Sequence, residues 1–311
     1  MKHFLFISLV FCLFAACKKS DKQPPIDNTV DLDGTIINDS SLTHPENFLL
    51  SVANPAPTQQ EKSTPVLIAV HGFSATTFEW LEFKNFVKNN GSVLISVVLL
   101  GGHGRDYADF KQASWEDWQA PLITEYNALR ALGYTNISFV GSSTGCPLIL
   151  DAIQAQKISS DVLKHLFFID PIIIPSNKTL SLVSAVGPAL GYSETTMEQG
   201  ENGFWYKYRP YQALEQLNDF TQLMRKKLED GITLPNNVNL TVYKSVGDGS
   251  ADPLSAVLLH NGVKLSSNQP ILVYMKYSYL HVFTRLLGRK SFTPKDKQNQ
   301  YDTFNEILAA L

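Results

Sequence analysis

Cysteine is scarce in this chain: Cys12, Cys17 and Cys146 are the only three in 311 residues. The first two fall in or beside an apolar N-terminal segment. Cys146 is then alone in the remainder, which excludes an intrachain disulfide framework there. An excess of positive charge is also lacking. Lys and Arg number 26 against 29 Asp and Glu, for a formal net charge of −3. The basic cluster Arg225-Lys226-Lys227 lies on a helical run and reads as a solvated face, so no nucleic-acid partner is expected. Metal and dinucleotide signatures are missing: no H-E-x-x-H, no C-x-x-C, no acidic calcium-type loop and no G-x-G-x-x-G. No metal and no cofactor are therefore expected. No internal repeat is present. The apolar run Phe4 to Ala16 is thirteen residues, too short to span a bilayer. With 44% hydrophobic and 18% charged residues, the rest reads as an ordinary globular domain.

Against this background one segment stands out. The apolar run Ile137 to Val140 leads into Gly141-Ser142-Ser143-Thr144-Gly145, and the helix-like stretch Pro147 to Ile153 follows. A G-x-S-x-G pattern between strand and helix has the context of a nucleophile elbow. Side chains at the two outer positions would clash in so tight a turn, so both are Gly. The turn would lift the Ser143 hydroxyl to a helix start, where backbone N–H groups point outward.

A serine hydroxyl is a weak nucleophile at neutral pH and needs a base, which in turn needs an orienting acid. The chain order in this architecture is Ser, acid, His. Downstream of Ser143 stand His165, His260 and His281. His165 precedes the apolar run Leu166 to Ile169 and reads as the start of a buried strand. His260 lies near a helix C-terminus closed by Asn261-Gly262, a structural position for a cation. His281 follows the strand-like run Ile271 to Tyr277 and precedes the last helix, which makes it the expected base. The acid is expected in the loop Gly247-Asp248-Gly249-Ser250-Ala251-Asp252-Pro253, which offers two candidates. Asp248 between two Gly also reads as a turn residue, and Asp252 also reads as a helix N-cap. The reading favours Asp252, at the end of the loop rather than its tip. For the oxyanion, one N–H is expected from Thr144, after the nucleophile. The other is expected from Phe73, after the buried strand Pro65 to Val70. His71 precedes the nucleophile and is expected to be structural, and Cys146 to be a small buried residue beneath the elbow.

Strands are expected at 48–53, 65–71, 92–100, 136–141, 165–170, 239–246 and 271–277. Helices are expected at 78–89, 115–132, 146–158, 253–261 and 296–310. Their alternation predicts an α/β fold, a mainly parallel sheet with helices on both faces. Residues 172–236 break the alternation with helical pieces and no clear strand, and are expected to form a cap. Its aromatic stretch makes Trp205, Tyr206 and Tyr208 candidate pocket residues, with Tyr192, Met197, Phe204 and Tyr211 nearby.

Several separated motifs occur in order: His71-Gly72-Phe73, Gly101-Gly102-His103-Gly104, Trp115-Glu116-Asp117-Trp118, the elbow, Asp252-Pro253-Leu254 and Leu280-His281-Val282. Together they resemble the α/β-hydrolase superfamily, close to bacterial carboxylesterases and monoacylglycerol lipases, over roughly residues 49–311. The resemblance implies Ser143 as nucleophile, Asp252 as acid, His281 as base, and Phe73 and Thr144 as oxyanion donors. Two positions depart from the pattern. Cys146 stands where a second Gly is usual, and Gly101 where Pro is usual in Pro-Gly-His-Gly.

Met1-Lys2-His3, the apolar run and Ala15-Ala16 before Cys17 read as a secretory signal over 1–16. They resemble a bacterial lipoprotein processing site, with Cys17 lipidated. Residues 17–44 would then form a flexible tether to a hydrolase domain at 45–311, held in the cell envelope. The expected function is a serine hydrolase of carboxylic esters acting through an acyl-enzyme on a small-molecule ester or lipid. The alternative is a non-catalytic envelope lipoprotein that binds an apolar ligand in the same pocket.

Overall fold

The computed structural model describes residues 22–25, 39–90 and 93–311. The leader 1–16, Cys17 and most of the expected tether lie outside the described residues. The strands are β1 (Val66–Val70), β2 (Leu94–Val98), β3 (Ile137–Ser142), β4 (Leu163–Ile169), β5 (Tyr192–Glu194), β6 (Tyr208–Pro210), β7 (Ile232–Thr233), β8 (Asn239–Ser245), β9 (Val263–Lys264) and β10 (Leu272–Lys276). Six of them form one sheet in the order β10-β8-β4-β3-β1-β2, and every pair in it is parallel.

Strand alternation divides the core. Along β1, Val66, Ile68 and Val70 face one side, and Leu67 and Ala69 the other. The first face is covered by helices Trp115–Ala131, Gly145–Gln154 and Leu254–Gly262, through Trp118, Leu122, Leu148, Ile149 and Leu259. The second is covered by helices Leu81–Asn90 and Pro294–Ala309, through Phe83, Val87, Phe304 and Ile307. Both faces of β1 are apolar because both are buried, which is why it reads as an unbroken hydrophobic run. β3 ends on Ser142, β4 on Ile169 and β8 on Ser245, so the loops carrying the candidate residues leave the same edge of the sheet.

Three expectations need correction. Residues 48–53 are not a strand. Pro45–Phe48 is a 3₁₀ turn and Leu50–Ala53 a short helix, whose entry is fixed by Ser96 and Glu125 accepting from the N–H groups of Leu50 and Ser51 (3.0 and 3.2 Å). The described residues of the 17–44 stretch do not all behave as tether: Pro24 is buried, and Ser40–Thr43 is a helix capped by Asp39, with Thr43 buried. The cap between β4 and β8 does contain strands, since β5 and β6 form an antiparallel hairpin. The rest of the cap is two 3₁₀ turns (Lys178–Leu182 and Gln199–Glu201), helix Val183–Leu190, helix Tyr211–Asp230 and the short strand β7. Leu217, Phe220, Met224 and Leu228 of the long helix join the main core, and Phe220 stacks on Trp115 at 4.7 Å. The cap is thus welded to the body rather than built around a core of its own.

Candidate active site

The elbow is a local product of its sequence. Ser143 sits at φ 49°, a left-handed conformation that costs an L-residue on the order of 1–2 kcal/mol. The surrounding backbone enforces it. A Cβ on Gly145 would lie 2.5 Å from the Val70 carbonyl oxygen, and one on Gly141 would lie 2.8 Å from Ile149 Cδ1. Both outer glycines are therefore required for the helix to approach the strand ends. Cys146 is fully buried and donates to the Ile169 carbonyl (3.6 Å). Burial pushes its thiol well above the usual range, consistent with a packing residue.

His281 lies between Ser143 and an acid. Its Nε2 is 2.9 Å from Ser143 Oγ, and its Nδ1 is 2.8 Å from Asp248 Oδ2. The carboxylate bonded to His281 is that of Asp248, which corrects the preference for Asp252. Asp252 points outward, where Oδ2 accepts from Lys178 Nζ (3.0 Å) and Oδ1 accepts from the Leu254 N–H (3.0 Å). The N-cap of helix Leu254–Gly262 is Pro253, so Asp252 stands one residue before the N-cap position expected of it while still accepting the first helical N–H. Asp248 is no mobile loop tip, because its Oδ1 accepts the N–H groups of Ser250 and Ala251 (2.8 and 3.0 Å) and folds the loop onto itself. Burial works against its charge, but His281 and Lys244 outweigh that and hold the carboxyl well below the usual range. An ionised Asp248 accepts a proton-bearing Nδ1, which leaves Nε2 as the acceptor facing the Ser143 hydroxyl.

Behind the acid is a buried group that sequence reasoning missed. Lys244, on β8, is wholly enclosed, and its ammonium donates to Asp248 and to Asp170 (3.2 Å to the latter). Asp170 follows β4 at φ 46° and also accepts the N–H groups of Ser245 (2.7 Å) and Phe283 (3.1 Å). One carboxylate thus ties together the ends of β4 and β8 and the loop after His281. Asp170, Asp248 and His281 offer ligand-type atoms within 4.8 Å of one another, but the cation among the carboxylates is the protein's own Lys244. The signal in the sequence was a lysine inside an otherwise buried strand, which must be paired.

The loop after β1 reaches Ser143 directly. A Cβ on Gly72 would meet Ser143 Cβ at 2.8 Å. Glu79, also missed, secures this approach by accepting the Gly72 N–H (3.0 Å) and the Ser142 hydroxyl. Phe73 and Thr144 line the space beside Ser143, and among the described residues neither backbone N–H has an acceptor. His71 is structural, as expected: Nδ1 donates to the Gly72 carbonyl (2.8 Å), while Nε2 accepts from the Leu100 N–H (3.0 Å). Burial pushes its pKa from 6.5 to about 3, with His103 adding to the effect.

The cap candidates divide. Trp205 lines a polar cavity at Ser143, under the Arg285 guanidinium at 4.5 Å from its ring. Tyr206 and Tyr208 do not line the site, which corrects that expectation. Tyr206 is buried, stacks on Phe110 at 4.3 Å and bonds through its hydroxyl to the Arg105 backbone. Tyr208 packs into the main core against Tyr192. The apolar wall comes from Leu180, Val183, Val186, Leu190, Leu214 and Leu217, in a cavity of about 550 Å³ that opens on Ser143 and His281.

No family profile and no curated protein matches this chain. Solved structures do. A metagenome-derived lipolytic enzyme superposes with a TM-score of 0.61 at 15% identity, over 79% of this chain and 94% of its own. The monoglyceride lipase of Saccharomyces cerevisiae gives 0.61 at 13% identity, over 82% and 87%. The monoacylglycerol lipase of Paleococcus ferrophilus gives 0.57 at 11% identity, over 80% and 97%. This chain has the α/β-hydrolase fold.

Proposed function

We propose that this chain is a serine hydrolase of carboxylic esters. The observation that carries the proposal is His281, bonded at one nitrogen to Ser143 Oγ (2.9 Å) and at the other to Asp248 (2.8 Å). That Asp248 replaces the acid expected from sequence leaves the chemistry unchanged. His281 takes the Ser143 proton as Oγ attacks the ester carbonyl, and the Phe73 and Thr144 N–H groups stabilise the oxyanion. The same proton then goes to the leaving alcohol, and a tetrahedral intermediate collapses to an acyl-enzyme on Ser143. Water, deprotonated by His281, releases the acid. The apolar cavity beside Ser143 suits an aliphatic acyl chain. The lipolytic activity of structural relatives supports the same reading. Lipidation at Cys17 and an envelope location belong to this proposal. Metabolic labelling with a radioactive fatty acid tests them, since incorporation should disappear in Cys17→Ser.

The chemistry is tested with p-nitrophenyl esters from acetyl to palmitoyl and with a fluorophosphonate probe. Wild type is expected to turn over the esters and to be labelled. Ser143→Ala should be unlabelled and lose activity on the order of 10⁶-fold. Folded wild-type protein that neither reacts with the probe nor cleaves any ester would replace this reading with that of a ligand-binding lipoprotein.

A further inference from the structure

Two cavities meet at Ser143, and they differ in character. One is the apolar space of about 550 Å³; the other, of about 240 Å³, is lined by Glu79, Glu198, Glu201, Arg209, Arg285 and Arg289. Phe73, Ser143, Arg209, Ser250 and His281 border both. The charged groups of the second cavity are mostly committed. Arg285 donates to Glu201 (2.5 Å) and to the Leu287 carbonyl (3.2 Å). Arg289 donates to the carbonyls of Arg285 (2.7 Å), His281 and Val282. Glu198 accepts the Lys290 N–H, and Glu79 is held by Gly72 and Ser142.

Arg209 is different. Among the described residues its side chain makes no hydrogen bond and no ion pair, and its Nε is buried without an acceptor. Its guanidinium lies over the face of Phe73, 6.0 Å from the ring centroid, with Glu201 across the same cavity exerting an electrostatic pull but no direct bond. Its position is set by the β5–β6 hairpin, where it pairs with Ser193. Tyr208 and Pro210 on either side are buried, so strand alternation turns Arg209 the other way, toward the cavities. Arg209 is half-buried, and a buried guanidinium N–H without an acceptor is costly, a cost that an incoming anion would remove. Arginine also suits this task, because its planar fork matches carboxylate and phosphate oxygens.

We propose that Arg209 binds an anionic group of the substrate, so that the ester cleaved at Ser143 joins an aliphatic acid to a polar alcohol bearing a carboxylate or phosphate. This rests on the ester-hydrolase reading above. The acyl chain occupies the Leu180–Leu217 cavity, and the charged alcohol lies beside Arg209 at the mouth of the polar one.

The test separates binding from turnover. Calorimetry on Ser143→Ala protein would use three uncleavable octyl ethers, of glycerol, glycerol 3-phosphate and glyceric acid. The charged ethers are expected to bind about tenfold or more tightly than the neutral one, and Arg209→Gln in the same background should abolish that difference. Whichever charged ether binds more tightly identifies the anion as phosphate or carboxylate. In parallel, wild-type kcat/KM for the corresponding octanoyl esters should show the same preference, with the ratio falling toward one in Arg209→Gln. Equal binding of charged and neutral ethers, or a charge preference that survives Arg209→Gln, would overturn the proposal. Charge-selective binding without cleavage of any ester would uphold the Arg209 site and refute the hydrolase reading instead.

Discussion

Asp248 and Asp252 stand four positions apart in one loop, and each has a separate physical role. Asp248 receives three kinds of partner at once: backbone N–H groups of its own loop, the Lys244 ammonium and His281. Asp252 has an exposed lysine and one backbone N–H. Asp248→Asn is therefore expected to lower kcat by roughly 10⁴-fold, because an amide cannot fix the imidazole in the required tautomer. Asp252→Asn keeps the oxygen that accepts the Leu254 N–H and gives up only an ion pair near the surface. Its kcat should stay within a few-fold of wild type and its stability within about 0.5 kcal/mol. Steady-state kinetics on the two variants side by side checks this, and equal losses would refute the assignment. Lys244 and Asp170 make the site's charge balance work. With one cation between two carboxylates, a net negative charge remains to face His281, which would favour its imidazolium in the proposed mechanism.

At the scale of elements, the site is an edge where strand ends, one helix start and three loops converge. The helix Gly145–Gln154 approaches β1 so closely that Gly145 has no room for a methyl group, and the obstacles are the backbone carbonyls of Val70 and His71 at 2.5 and 2.7 Å. Backbone in a central strand cannot yield as a flexible side chain can. Gly145→Ala is expected to destabilise by about 1–3 kcal/mol or more and to misplace Ser143. Gly249→Ala adds its methyl where nothing lies within 4 Å and should change stability by no more than about 0.5 kcal/mol. Urea unfolding midpoints of the two variants test the contrast. Glu79 serves the same convergence from the other side, joining the β1 loop to the end of β3.

For the whole molecule, three buried or partly buried imidazoles link folding to pH. Burial lowers His71 from 6.5 to about 3, His103 to about 4 and His165 to about 4. The unfolded chain takes up protons at these sites below pH 6.5, while the folded chain does not until far lower. Their contribution to stability is therefore complete above pH 6.5 and is lost progressively as pH falls toward 4. The slope can reach about 4 kcal/mol per pH unit if all three take part. Asp248, held below its ordinary value of 3.8, adds a loss only at lower pH still. Urea titrations at pH 7.5, 6 and 5 should show a falling midpoint across this window, and a flat profile would contradict it.

The sequence by itself determined whatever depends on neighbours along the chain. The elbow could be read because strand, Gly-x-Ser-x-Gly and helix are consecutive, and its clash constraints are local. The buried strands could be read from their apolar runs, and His281 from its place after the last strand. The tertiary structure decided what depends on groups far apart in sequence. Asp248 was chosen over Asp252 by His281 across the loop and by Lys244 and Asp170 on separate strand ends, none of which bears on local turn or capping preference. Tyr206 and Tyr208 look like pocket residues in an aromatic stretch, yet the body of the domain buries them, while Arg209, the next residue along, faces the cavities. Alternation along a strand can be read from sequence only once the strand is known. This two-stranded hairpin is held by its packing on the domain rather than by its own residues.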